Sequence, residues 1–232
     1  MISLPAGIPM EVQTQVRTAV FFDLGDTLEV EALSHRHRAD AVSAICARHG
    51  KALSADRFLD LQMQAAAEGA LSAYAKALSE LRLPAPALQE IKKTVKWDQS
   101  QLFLNPDALV LLPTLKKKYR LGIIANQSEP IAPRLKQYGI AGYFDDLLCS
   151  CELGFGKPDP RIFERAEEAA KGDCDSFWMI GDRVDNDIVP ARKRGWKTVR
   201  FMTGLYRGYP CDRDEEKADH EISCLIELSK IL

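Results

Sequence analysis

Asp23 closes a short apolar run, Val20-Phe21-Phe22, and is followed by Gly25, Asp26 and Thr27. An apolar strand that stops at a carboxylate is how an open α/β sheet presents a reactive group at its carboxyl edge. Three later stretches also end in polar groups. Leu121 to Ala125 runs into Asn126-Gln127-Ser128. Phe144 to Cys149 leads to a Gly154-Phe155-Gly156-Lys157-Pro158-Asp159-Pro160 turn. Phe177 to Ile180 runs into Gly181-Asp182, with Asp185 and Asp187 close behind. Carboxylates beside a lysine and loop amides make a site for Mg²⁺ and a phosphate. Mg²⁺ takes hard oxygen ligands, and a lysine offsets phosphate charge as a point cation. An aspartate in line with phosphorus can act as the nucleophile once its charge is screened from the phosphoryl oxygens.

The elements that must position these groups follow from the same pattern. Strands are expected at 18–23, 121–125, 144–149, 177–180, 197–201 and 218–222. Helices are expected at 107–118, 129–137, 160–170, 188–194 and 223–231, Pro160 and Pro190 suiting first helical turns. Repeated βα units predict an α/β fold with a Rossmann-like, mainly parallel sheet and helices on both faces. Between Glu31 and Gln99 there is little strand signal and much Ala, Leu, Lys and Glu. Helices at 31–49, 54–81 and 86–97 are expected there, broken by Gly50, Pro84 and Pro86, as a bundle inserted after the first strand. The division is therefore a leader at 1–17, a core from 18–29 and 101–232, and a helical insert at 30–100.

The totals fit this division. The chain has 232 residues, 46% of them apolar, enough for a sizeable core. A net charge of −2 gives no global field toward nucleic acid, and no apolar run reaches membrane-spanning length. Met1 to Glu11 lacks a basic segment and carries Pro5 and Pro9, so a mobile leader is expected rather than a signal peptide, and a cytoplasmic location. A monomer or homodimer is expected. The six cysteines form no CxxC pair and read as buried thiols; Cys149 and Cys151, one serine apart, offer a redox pair as the sharper reading.

Four motifs together resemble the haloacid dehalogenase superfamily, whose larger part is phosphatases. They are Asp23 to Thr27, the strand ending at Asn126, the Lys157 turn followed by Ile162-Phe163, and Gly181 to Ile188 followed by Ala191, Gly195 and Thr198. The resemblance covers about residues 18–28 and 105–225, and the insert falls where many members carry a helical cap. It implies Asp23 as nucleophile and Mg²⁺ ligand, with the Gly25 backbone carbonyl, Asp182 and Asp187 completing the metal site. Lys157 would bridge Asp23 and the phosphate, Thr27 would fix the first loop, and Asn126 with Gln127 would hold phosphate oxygens. The implied substrate is a small phosphorylated metabolite.

Two positions depart from the family pattern. Gly25 stands where most phosphatases of the family have an acid–base Asp, with Asp26 one residue further on. Ala125 stands where a Ser or Thr is usual, and Ser128 is its nearest substitute. General acid–base help contributes about two to four orders of magnitude in rate, so Gly25 predicts a bias toward good leaving groups such as acyl or aryl phosphates. It also admits a weakly active binder of Mg²⁺ and a phosphorylated ligand or protein partner. A metal-free haloacid dehalogenase conflicts with Asp182 and Asp187. In the insert, His35-Arg36-His37-Arg38 reads as a solvated face, or as one from which His35 or Arg38 projects to the cleft to bind an anion or supply the acid. Asp185 reads as a solvated or capping group, and Trp97 as core or hinge packing.

Overall fold

The computed structural model describes residues 17–232, so the expected leader lies outside the described residues except for Arg17. A six-stranded sheet forms the core. Its strands are β1 (Thr18–Phe22), β4 (Arg120–Ala125), β5 (Asp146–Cys149), β6 (Ser176–Gly181), β7 (Lys197–Phe201) and β8 (His220–Ile222). Their spatial order is β5-β4-β1-β6-β7-β8, and every neighbouring pair is parallel. The protein thus has the expected α/β, Rossmann-like fold. The chain crosses from β1 to β4 on one side and to β6 on the other. β1 therefore ends at the switch point where an open sheet forms its ligand crevice.

Alternation along β1 explains why it is central. Val20 and Phe22 pack on one face with Leu111, Leu112 and Leu115 of α5 (Pro106–Leu115) and with Leu225 and Leu228. Ala19 and Phe21 pack on the other with Trp196 and with Ile162, Phe163 and Ala166 of α8 (Pro160–Ala169). A strand buried on both faces has no polar alternation, which is why its sequence reads as a continuous apolar run.

The inserted segment holds α1 (Ala32–Arg48), α2 (Ala55–Ala67), α3 (Ala73–Glu80) and α4 (Ala85–Thr94). They share a core of their own, built from Val42, Ile45, Phe58, Leu61, Leu78 and Ile91. The expected single helix at 54–81 is two helices. Gly69, at φ +78°, closes α2, and the Ser72 hydroxyl caps α3 by accepting from the Ala75 N–H at 3.2 Å. The segment leaves and re-enters the core through an antiparallel ribbon of β2 (Glu29–Val30) and β3 (Phe103–Leu104), which the sequence pattern does not announce. The expected C-terminal helix is a 3₁₀ run, Leu225–Lys230. The remaining helices are α6 (Ala132–Gln137), α7 (Ser150–Leu153) and α9 (Val189–Lys193). Among the described residues no helix is long and apolar enough to cross a membrane.

Candidate active site

The sheet brings three polar strand ends side by side. β1 ends at Asp23, β4 at Asn126 and β6 at Asp182, and the Asp23 N–H is fixed by the Ile180 carbonyl at 2.8 Å. Lys157 arrives from the turn before α8, where the Asp159 carboxylate caps the helix through the Arg161 N–H. Its ammonium donates to Asp23 Oδ1 and to Asp187 Oδ1, both at 2.6 Å. Asp23, Asp182 and Asp187 each offer an oxygen within 4.8 Å of the others'. Asp187 also accepts from the Arg183 N–H at 3.0 Å, and Gly181 makes room for it: a Cβ there would lie 2.7 Å from the Asp187 Cβ.

This cluster is nearly dry, with Lys157 5% exposed, Asp182 4% and Asp187 0%. Burial pushes Asp182 well above the usual carboxylate range, and the charges of Asp23, Asp187 and Asp26 add to the rise. Burial also pushes Asp187 up to about 6, against the pull of Lys157 and with the push of Asp23. Burial alone would lower Lys157, but Asp187 and Asp23 outweigh it and raise the ammonium. Three carboxylates against one lysine leave surplus negative charge, and that donor set fits a hard divalent cation.

Of the expected phosphate-binding side chains, Asn126 and Gln127 line the cleft, and both are tied to neighbouring loops. The Asn126 amide is engaged on both sides by the Lys157 backbone: Nδ2 donates to the Lys157 carbonyl at 2.7 Å, and Oδ1 accepts from its N–H at 2.8 Å. It fixes the lysine turn, as a side chain one residue past a strand end can when two loops converge there. The Gln127 side chain accepts from Arg134 at 3.2 Å, and its N–H donates to Ser150 Oγ at 3.0 Å. Arg134 in turn pairs with buried Glu29 at 2.5 Å, which holds the Gln127 Oε1 at the base of the insert while the residue lines the cleft. Thr27 is fully buried, and among the described residues its hydroxyl has no partner. Ser128 reaches the cleft wall.

Above the cluster lies a cleft of about 410 Å³ walled by both the core and the insert. Asp26 is turned to the insert by a left-handed backbone, φ +47°, and accepts from the Glu31 N–H at 3.2 Å. Glu31 and His35 reach the same cleft, His35 Nε2 lying 3.6 Å from Glu31 and 3.7 Å from Asp26. Arg38 also faces it, its guanidinium 4.0 Å from the Tyr74 ring centre and 4.8 Å from that of Trp97. Among the described residues no carboxylate pairs with Arg38, and its Nε has no partner. Trp97, expected as packing, is thus part of the cleft wall. Arg183, not singled out from sequence although it adjoins Asp182, joins core to insert. It donates to the Leu71 carbonyl at 3.3 Å and stacks on Tyr206 at 4.2 Å. Asp185 is its partner at 2.5 Å. The expectation of buried thiols holds for Cys46 and Cys149; Cys151 is exposed, its sulfur 3.2 Å from that of Cys149.

The sequence pattern of the haloacid dehalogenase-like hydrolases matches residues 18–195. The chain belongs to that family. Curated relatives of this family member include glyceraldehyde 3-phosphate phosphatases. That of Methanocaldococcus jannaschii is 36% identical over 99 residues, 43% of this chain and 42% of the relative. That of Pyrococcus furiosus is 33% identical over 55% of this chain and 53% of its own length. A pyrimidine 5'-nucleotidase of Escherichia coli is 35% identical over 45% of this chain and 47% of its own. The chain thus spans about half the length of these relatives. Among solved structures, a magnesium-bound HAD-hydrolase of Bacillus subtilis superposes with a TM-score of 0.64 at 21% identity. It covers 94% of this chain and 99% of its own and supports the shared fold.

Proposed function

We propose that the protein is a Mg²⁺-dependent phosphohydrolase that acts on a small phosphorylated metabolite through an aspartyl-phosphate on Asp23. The observation that carries this reading is the Lys157 ammonium, 2.6 Å from both Asp23 and Asp187, beside a third acid at the carboxyl edge of the sheet. The phosphatase and nucleotidase names of its relatives support the substrate class.

Asp23, the Gly25 carbonyl, Asp182 and Asp187 would hold the ion, which when bound offsets charge on the phosphoryl oxygens. Lys157 orients the Asp23 carboxylate and adds a cation beside the transferred group. Asp23 attacks phosphorus, and water then cleaves the aspartyl-phosphate. Asn126 serves by holding the Lys157 backbone, and Thr27 presents a buried, unpartnered hydroxyl in the nucleophile's loop. Helices α1 to α4 act as the cap, and Arg38 contributes an unpaired cation to an anionic substrate.

The test is phosphate release from a panel of alkyl and aryl phosphomonoesters, with Mg²⁺ and with a chelator. Release that needs Mg²⁺ and disappears in Asp23→Asn supports the reading. Release indifferent to both, or halide release from 2-haloacids without metal, contradicts it.

A further inference from the structure

Outside the cluster of Asp23, Asp182 and Asp187, two carboxylates face the cleft among the described residues: Asp26 and Glu31. Asp26 is committed. Its Oδ1 accepts the Glu31 N–H at the start of α1, and the Gly204 loop covers it so closely that a Cβ there would lie 2.9 Å from the Asp26 Cβ. The Glu31 carboxylate is different. Among the described residues its side chain has His35, at 3.6 Å, as its only ion-pair partner. It occupies the space beside Gly25, two residues past the nucleophile: a Cβ built on Gly25 would lie 3.0 Å from the Glu31 carboxyl carbon and overlap its Oε1. The glycine leaves open the volume that the glutamate fills from the first residue before the helix.

Expulsion of an alkoxide from phosphorus requires a proton, and hydrolysis of an acyl-phosphate requires a base for the attacking water. The residues of the buried cluster are engaged with one another, with Lys157 and with the proposed ion. We propose that Glu31, steadied by His35, is the general acid and base of the reaction, a role that presupposes the aspartyl-phosphate reading. In the first half, Asp23 Oδ bonds to phosphorus, the bond to the leaving oxygen breaks, and the Glu31 carboxyl proton passes to that oxygen, releasing an alcohol. In the second half, the Glu31 carboxylate takes a proton from water as the water oxygen bonds to phosphorus. The Asp23–phosphorus bond then breaks, and phosphate leaves with Glu31 protonated again. No proton or electron is left over.

The surroundings agree. Burial raises the Glu31 carboxyl above its ordinary range; contact with His35 opposes the rise, and the charges of Asp26 and Asp23 support it. Burial would lower His35, but contacts with Asp26 and Glu31 outweigh it and raise the imidazole. Glu31 supplies in space what Gly25 lacks in sequence, so alkyl phosphates are substrates, not only those with good leaving groups.

The experiment compares the parent, Glu31→Gln and Asp23→Asn on an aryl and an alkyl phosphate with Mg²⁺, following phosphate, alcohol and the mass of the protein. In Glu31→Gln the alkyl phosphate should lose about 10²–10⁴-fold in turnover. The aryl phosphate should give a burst of one phenol per enzyme, followed by slow turnover with phosphoryl-Asp23 accumulating. Asp23→Asn should give no burst. As a second variant, Gly25→Asp with Glu31→Ala should exceed Glu31→Ala alone on alkyl phosphates by at least about tenfold. Alkyl turnover by Glu31→Gln within about threefold of the parent, with Asp23 phosphorylated in both, overturns the role of Glu31 and spares the phosphohydrolase reading. Absence of phosphoryl-Asp23 in every variant overturns both.

Discussion

Lys157 stands 2.6 Å from two carboxylates, and His35 stands 3.6 and 3.7 Å from two others, in the same cleft. The first arrangement belongs to the sheet edge and is nearly sealed from solvent; the second belongs to the first turn of the insert and lines the open side. A lysine between buried acids is a permanent charge that fixes geometry. A histidine between buried Asp26 and half-buried Glu31 can gain or lose its proton. On the proposed mechanism, the first group holds metal and phosphate and the second moves protons.

The sharpest way to break this contrast is Asp23→Asn, which should lower turnover of every phosphoester by at least about 10³-fold, because on the proposed mechanism Asp182 and Asp187 are committed to the ion and to Lys157. Steady-state kinetics with Mg²⁺ measures it. Next is Lys157→Ala. Removing one member of a buried ion cluster leaves its partners uncompensated, at a cost of about 3–5 kcal/mol. His35→Ala, which removes a looser partner at 3.6 and 3.7 Å, should cost less, about 1–2 kcal/mol. Urea melts of both variants test the pair, and equal losses would erase the distinction.

A smaller effect concerns pH. Asp187 is held at about 6, above its ordinary 3.8, so the metal-free fold binds more protons than the unfolded chain between those values. Its stability therefore falls as pH rises through that window; the share from Asp187 is complete above about pH 6, and the raised Asp182 adds to the fall. A bound divalent cation relieves the crowding, so saturating Mg²⁺ should raise the melting temperature by about 5 °C or more near pH 7.5 and by less near pH 5. Differential scanning calorimetry with and without chelator checks it. The smallest expected change is in Arg38→Ala: KM for an anionic substrate up about tenfold, with kcat little altered, because the guanidinium touches the cap side of the cleft and not the reacting group.

The core was legible because its signals are local. β1, β4 and β6 are short apolar runs that stop at polar residues, and a parallel sheet puts such ends on one edge. The break at Gly69 was hidden by Ala-rich sequence on both sides, whereas Ser72 as a cap is visible once the break is known. The ribbon of β2 and β3 is two residues per strand, too short for any periodicity to register. At the site, Asp23, Lys157, Asp182 and Asp187 follow from motifs. The turning of Asn126 to the Lys157 backbone, and of Gln127 to Arg134, depends on loops meeting from 31 and 7 residues away. Glu31 left no sequence signal, since its place beside Gly25 exists only once α1 folds back over the nucleophile's loop.

On the proposed mechanism Asp23 carries a phosphoryl group during turnover. Intact-protein and peptide mass spectrometry after rapid mixing of Glu31→Gln with Mg²⁺ and an aryl phosphate tests it most directly. The expected result is one phosphoryl group per chain, located on Asp23 and absent from Asp23→Asn. Phosphate release by the parent with Asp23 unmodified in every variant and at every time would contradict it.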